Sequence, residues 1–288
     1  MDAKELIKKV KRIEIKTRRL SNDIFSGEYH SSFKGRGMTF SEVRRYDYGD
    51  SIKDIDWNVT AKLNKPHVKI FEEERELTTI LLVDISASGN FGTTDQLKRD
   101  NITEICATLA FSASQNNDKV GLILFSDIIE LFVPPKKGKK NVLRIIRELV
   151  EFSPKSKKTD IAKAIKFLSE AIKKRSIVFI LSDFMDDYYE VDLKVASKKH
   201  DIVGIKVYDK REKVMPDLGM VDMLDSETGE HVLINTSSRG VRRSYRDYFL
   251  SKSKYFKDTF TSCKAGNIES EISESYVKKL LEYFKQKR

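Results

Sequence analysis

The sequence predicts an α/β fold: a doubly wound, mainly parallel sheet flanked by helices. Three observations carry that expectation. The runs Ile80 to Val83, Ile177 to Leu181 and Ile202 to Val207 are short and rich in branched residues, as strands buried on both faces require. Segments with helical apolar spacing lie between and around them. Two of the runs stop abruptly at oxygen-bearing side chains, Asp84-x-Ser86-x-Ser88 and Asp183, where open α/β sheets place their ligands.

In chain order, Leu6, Ile7, Val10, Ile13 and Leu20 set a helical rhythm across Ala3 to Leu20. From Tyr29 to Glu74 the chain reads as extended and turn-rich, with a half-exposed strand around His67 to Phe71. Here Arg36, Arg44 and Arg45 beside Asp47, Asp50, Asp54 and Asp56 suit a structural ion-pair network, or an anion or peptide surface at the Gly35-Arg36-Gly37 turn. Trp57 is expected to be a core anchor.

The first core strand is followed by a helix from about Gln96 to Ser114, with Ile102, Ile105, Cys106 and Leu109 inward. Val120 to Phe125 and Ile128 to Val133 read as a strand and its hairpin partner, ended by Pro134-Pro135. Helices around Val142 to Val150 and from Thr159-Asp160 onward precede the next strand, and one near Leu193 to Lys199 precedes the last. Beyond Tyr208, a hairpin over Gly219 to Ile234 leads to two helices, Arg239 to Ser262 and Glu274 to Gln286, separated by Gly266-Asn267. The domain reading is therefore an N-terminal helix and β-rich extension (1–76) packed on the core, an α/β domain (77–208), and a C-terminal hairpin and helices (209–288) completing the same globular unit.

Bulk properties exclude several classes. At 288 residues the chain is long enough for a sizeable core, and no apolar run reaches the roughly 18–20 residues of a membrane span. The charged start, Asp2 to Arg19, has no apolar signal-peptide region, and Cys106 and Cys263 form no disulfide framework, so a reducing cytoplasm is expected. The net charge of +10 is spread among acids rather than gathered into a basic run with aromatics, so no nucleic-acid partner is expected.

The polar strand ends carry the chemistry. Asp84, Ser86 and Ser88 converge from one loop, and Asp183 follows another strand. Thr159 and Asp160 open a helix, where they either cap it or face a ligand. All-oxygen sets of this kind suit hard cations such as Mg²⁺ or Mn²⁺. Each residue taken alone also has a plain structural use, in turns or caps.

In this order on a βα framework, these residues resemble the metal-ion-dependent adhesion site of von Willebrand factor A domains. The resemblance implies a von Willebrand factor A-like fold and a metal set of Asp84, Ser86, Ser88, Thr159 and Asp183, with Asp160 matching the acid that often follows the threonine. Lys157-Lys158 replace the usual glycines and add positive charge nearby. A longer resemblance spans nearly the whole chain. Gly35-Arg36-Gly37-Met38-x-Phe40-Ser41-Glu42-Val43-Arg44-x-Tyr46, Ile55-Asp56-Trp57-Asn58-x-Thr60-Ala61 and Asp209-Lys210-Arg211-Glu212 are similar to segments of the domain-of-unknown-function 58 family. That resemblance implies bacterial or archaeal origin, partner handling, and association with MoxR-type AAA+ ATPases.

Three functions fit. The leading one is a non-enzymatic, divalent-metal-dependent module that captures an acidic side chain of a protein partner, as an adaptor for a MoxR-type ATPase in protein assembly or maturation. The second is a metal-dependent phosphotransfer enzyme with Asp84 as nucleophile. Against it, Ser86 stands where a second acid belongs, and neither a phosphate-cradling glycine loop nor a Gly-x-Ser-x-Gly elbow is present. The third is a structural scaffold with a vacant site in which Lys157 and Lys158 replace the cation's charge.

Overall fold

The computed structural model describes residues 8, 10–14, 39–72, 77–93, 97–225 and 229–287. The Gly35-Arg36-Gly37 turn and most of the expected Ala3 to Leu20 helix lie outside them, though residues 10–14 are helical. Two compact units emerge, residues 34–76 and the remainder, with residues 1–33 grouped with 77–288.

The small unit pairs β1 (Thr39–Arg45) with β2 (His67–Glu72) in antiparallel fashion, across a short helix α1 (Trp57–Leu63). This helix corrects the extended reading of the segment. Asp56 starts it by accepting the amides of Asn58 at 3.0 Å and Val59 at 3.2 Å, an N-cap whose signal was hidden among neighbouring acids. Trp57 is 65% exposed and is no core anchor. Of the expected ion pairs, Arg44 binds Asp50 through both guanidinium arms at 2.8 Å, whereas Asp56 meets a lysine outside the expected set, Lys69, at 3.6 Å.

The large unit holds a six-stranded sheet. Its strands are β3 (Thr78–Asp84), β4 (Lys119–Phe125), β5 (Ile129–Lys136), β6 (Ile177–Ser182), β7 (Asp201–Tyr208) and, past the hairpin described below, β10 (Gly266–Glu271). The order is β10-β7-β6-β3-β4-β5, parallel throughout except β5. The chain is thus α/β with a doubly wound, mainly parallel sheet, as expected. Because side chains alternate along a strand, Leu81 and Val83 face one layer while Ile80 and Leu82 face the other. The first layer contains α2 (Lys98–Gln115), α3 (Lys139–Glu151) and α8 (Tyr276–Gln286). The second contains α4 (Ile161–Ala171), α5 (Glu190–Ser197) and α7 (Arg239–Ser262). Cys106 of α2 is fully buried, as expected. Between β7 and α7 lie a one-turn helix α6 (Lys210–Lys213) and the antiparallel hairpin β8 (Met220–Leu224) and β9 (His231–Asn235).

Two expectations need correction. β5 runs through Pro134-Pro135 to Lys136 instead of ending before them; as an edge strand it tolerates the missing donors. Gly266-Asn267 is not a simple separator but the start of β10, which pairs with β7. Close packing also explains Gly204 in β7: a Cβ there would lie 2.5 Å from the Phe260 ring. None of the described helices is long and apolar enough to cross a membrane.

His200, just before β7, is 2% exposed, and neither ring nitrogen has a hydrogen-bond partner among the described residues. Burial, aided by Lys199, pushes its imidazole down to about 4. Between that value and the ordinary one near 6.5 the unfolded chain binds a proton that the folded chain refuses. Stability should therefore fall as pH drops through this window, by up to about 3 kcal/mol. Denaturant titrations at pH 7 and pH 4.5 should show a smaller loss for His200→Leu than for wild type. Equal losses would refute the assignment.

Candidate functional site

β3 leads through α2 to β4 on one side, whereas β6 joins β3 from the other side and continues to β7. The crevice at the carboxyl ends of β3 and β6 is thus the topological switch point of the sheet, where doubly wound folds bind ligands. Asp84 ends β3, Ser182 ends β6, and Asp183 follows.

The local geometry is closely tied. Ser182 donates its hydroxyl to Asp84 Oδ2 at 2.7 Å, and the Ser86 amide donates to Oδ1 at 2.9 Å. Ser86 and Ser88 stand with their hydroxyl oxygens 3.0 Å apart, where Ser86 opens the short turn Ala87–Asn90. Ser88 lies near enough to Asp183 to help hold its carboxyl low. The carbonyl of Lys157 accepts the Ala87 amide at 3.1 Å, which brings the segment before α4 to this loop. Asp160 is the helix cap, accepting the Lys163 amide at 2.8 Å. Half-buried Thr159 is spared that task, and its hydroxyl has no hydrogen-bond partner among the described residues. Asp84, Ser86 and Ser88 are tied together within one loop, and Asp183 follows Ser182, which bonds Asp84. Thr159 makes no hydrogen bond to them among the described residues, the nearest tie being the Lys157 carbonyl two positions before it.

Sequence reasoning missed the cations. Lys98, the first residue of α2 and 1% exposed, places its ammonium 2.9 Å from Asp183 and 2.6 Å from Glu212. Burial works against its charge, but the two carboxylates win and hold its pKa above the ordinary lysine value. Asp183 in turn resists burial through Lys98 and stays below the usual carboxylate range. Lys206, wholly buried in β7, donates to the carbonyl of Asp183; burial lowers it to about 8 despite Asp183 and Glu212. Lys157 and Lys158, to which the vacant-scaffold alternative gave this charge, are exposed. A lone lysine inside the apolar run Ile202 to Val207 was the available signal for Lys206. For Glu212 it was the capping box with Asp209, in which the two side chains bond each other's backbone amides.

The donor set fits a hard divalent cation. Oxygens around Mg²⁺ at about 2.1 Å in an octahedron are about 3 Å apart along an edge, the spacing of the Ser86 and Ser88 hydroxyls. Four largely buried carboxylates, Asp84, Asp183, Asp209 and Glu212, share this region with two buried ammonium groups, Lys98 bonding Asp183 and Glu212 and Lys206 bonding the Asp183 carbonyl. Burial, and then the neighbouring Asp183, push the Asp84 carboxyl up to about 6. Among the described residues no three His, Cys, Asp or Glu side chains gather into a group that could hold a metal ion, so a cation here would depend on the serine hydroxyls beside Asp84 and Asp183.

Several known proteins are similar to this chain. Rv1480, an uncharacterized protein of Mycobacterium tuberculosis, is 29% identical over 232 residues, covering 80% of this chain and 73% of its own. The crystal structure of the conserved hypothetical protein BatB from Bacteroides thetaiotaomicron aligns at 16% identity with a TM-score of 0.49, over 73% of this chain and 98% of its own. The VWA domain of SpRpn10 aligns at 13% identity with a TM-score of 0.43, over 72% and 94%. The model of the family described as protein of unknown function DUF58 matches residues 42–254, from β1 through every residue of the crevice to α7. The chain belongs to the DUF58 family.

Proposed function

We propose that the crevice between β3 and β6 is a divalent-cation site, for Mg²⁺ or Mn²⁺, through which a non-enzymatic binding module captures an acidic side chain of a protein partner. The observation that carries this reading is the pair of converging hydroxyls, Ser86 and Ser88, set between two buried carboxylates at the switch point. Asp84, Ser86, Ser88, Thr159 and Asp183 would hold the cation, which when bound supplies a Lewis-acidic position for an external carboxylate. The protein's own groups prepare that position. Ser182 and the Ser86 amide fix Asp84, while Lys98 and Lys206 hold Asp183 in place. Association with a MoxR-type AAA+ ATPase, as its adaptor in a prokaryotic cytoplasm, is part of the same proposal.

One observation favours a second reading. Lys98 already neutralises Asp183, so the crevice also suits a cation-free scaffold in which that ammonium stands in for the metal. Calorimetry separates the two. Under the first reading Mg²⁺ binds wild type, and Asp84→Asn or Ser86→Ala with Ser88→Ala weakens it at least about tenfold, a loss near 1.4 kcal/mol, while the melting profile stays cooperative. Equal Mg²⁺ affinity in wild type and both variants, or none in any, would sink the first reading.

A further inference from the structure

Away from the crevice, the first two turns of α7 place Arg239, Arg242, Arg243 and Arg246 at i, i+3, i+4 and i+7, on one helix face. Together with Val214 and Met215 these guanidiniums line a cavity of about 450 Å³. Their partners do not balance them. Arg242 meets Asp217 at 2.7 Å and also donates to the Thr236 carbonyl, whereas Arg243 and Arg246 share Asp247 at 3.7 and 3.6 Å. Arg239 has no acidic partner among the described residues, so two positive charges remain in excess. Like charges at this spacing repel, and Arg239 and Arg242, in the first turn, also stand against the helix dipole with no acid beside them there.

Met215 also lines a second cavity of about 300 Å³, with a different character. Phe91, Leu218, Val221, Met223 and Tyr245 make its wall largely apolar. Val221 and Met223 turn into it by the two-residue alternation of β8. An arginine face beside an apolar cavity matches a ligand that is anionic at one part and apolar at another. The guanidinium fork suits carboxylates in particular.

We infer that these adjoining cavities form a docking groove for an acidic segment of a protein partner, with carboxylates on the α7 arginines and one bulky apolar side chain in the pocket under β8. The inference deepens the protein-binding reading and rests on it in taking the ligand to be a protein segment; the cation takes no part.

The test uses the full chain and fluorescence polarisation of a labelled peptide, Gly-Glu-Glu-Leu-Glu-Phe-Glu-Gly. Two control peptides replace either the glutamates by glutamine or Leu and Phe by serine. The acidic, apolar peptide should bind at least about tenfold tighter than either control. The triple variant Arg239→Glu, Arg243→Glu, Arg246→Glu alters exposed side chains only and should weaken it by a similar factor, with an unchanged melting profile. Met223→Glu should weaken it as well. Binding that survives chelator and Asp84→Asn supports the groove even if the cation reading fails. Affinity within about twofold of wild type in the triple variant would overturn the inference. So would loss of binding on chelation alone, or displacement by inorganic phosphate or ATP at lower concentrations than by unlabelled peptide.

Discussion

Replacing Lys98 by alanine is expected to cost about 3–5 kcal/mol of stability, the penalty for removing one partner of a buried ion pair. On a chain of this size that lowers the melting temperature by about 10 °C. The ammonium is 1% exposed and lies between Asp183 and Glu212, so its loss leaves two carboxylates facing each other without a counter-charge. Lys98→Met keeps most of the aliphatic stem and should recover only a small part of the loss, because the missing element is charge rather than volume. Mg²⁺ makes the experiment informative about function. If the crevice takes a cation, added Mg²⁺ should raise the melting temperature of Lys98→Ala more than that of wild type, since the cation then supplies the charge the lysine did. A loss below about 1 kcal/mol would show that solvent reaches the pair and that the lysine is not its structural counter-ion.

Lys98 also shows where sequence reasoning stops. The apolar strands could be read because each is continuous in the chain and its burial leaves a local pattern: Ile80 to Val83 and Ile177 to Leu181 lie wholly inside the sheet. The long helix, expected at about Arg239 to Ser262, was legible because its buried side chains recur with helical spacing. The ion pairs are different. Asp183 and Lys98 stand 85 positions apart, and their meeting depends on the strand order, which no local pattern encodes. β10 was missed for a related reason: Gly266–Glu271 is an edge strand with one aliphatic residue, Ile268, and its strand character comes from pairing with β7. Of the site, the loop residues and Asp183 were legible as oxygen donors at strand ends. The charges that hold them were not.

Phe184→Ala should destabilise the fold by about 3–5 kcal/mol and weaken the crevice without touching any candidate ligand. Phe184 follows Asp183 directly and is fully buried, with its ring centroid 4.4 Å from Phe256, 5.4 Å from Phe260 and 6.1 Å from Tyr189. Its backbone sits at φ +49°, a left-handed conformation that a bulky side chain adopts only when packing enforces it. The aromatic cluster therefore holds a strained turn, and that turn aims Asp183 at Lys98. The Phe184 amide also bonds the Ser182 hydroxyl at 3.1 Å, the same hydroxyl that fixes Asp84. Glycine and alanine separate strain from packing. Both lose the ring, but glycine relieves the backbone, so Phe184→Gly should be about 1 kcal/mol more stable than Phe184→Ala, the reverse of their usual order. Urea denaturation of the three proteins measures this directly, and calorimetry with Mg²⁺ should find weaker binding in both variants. A Phe184→Ala protein within about 1 kcal/mol of wild type, or one more stable than Phe184→Gly, would mean that the turn is set by its own backbone hydrogen bonds and not by the rings behind it.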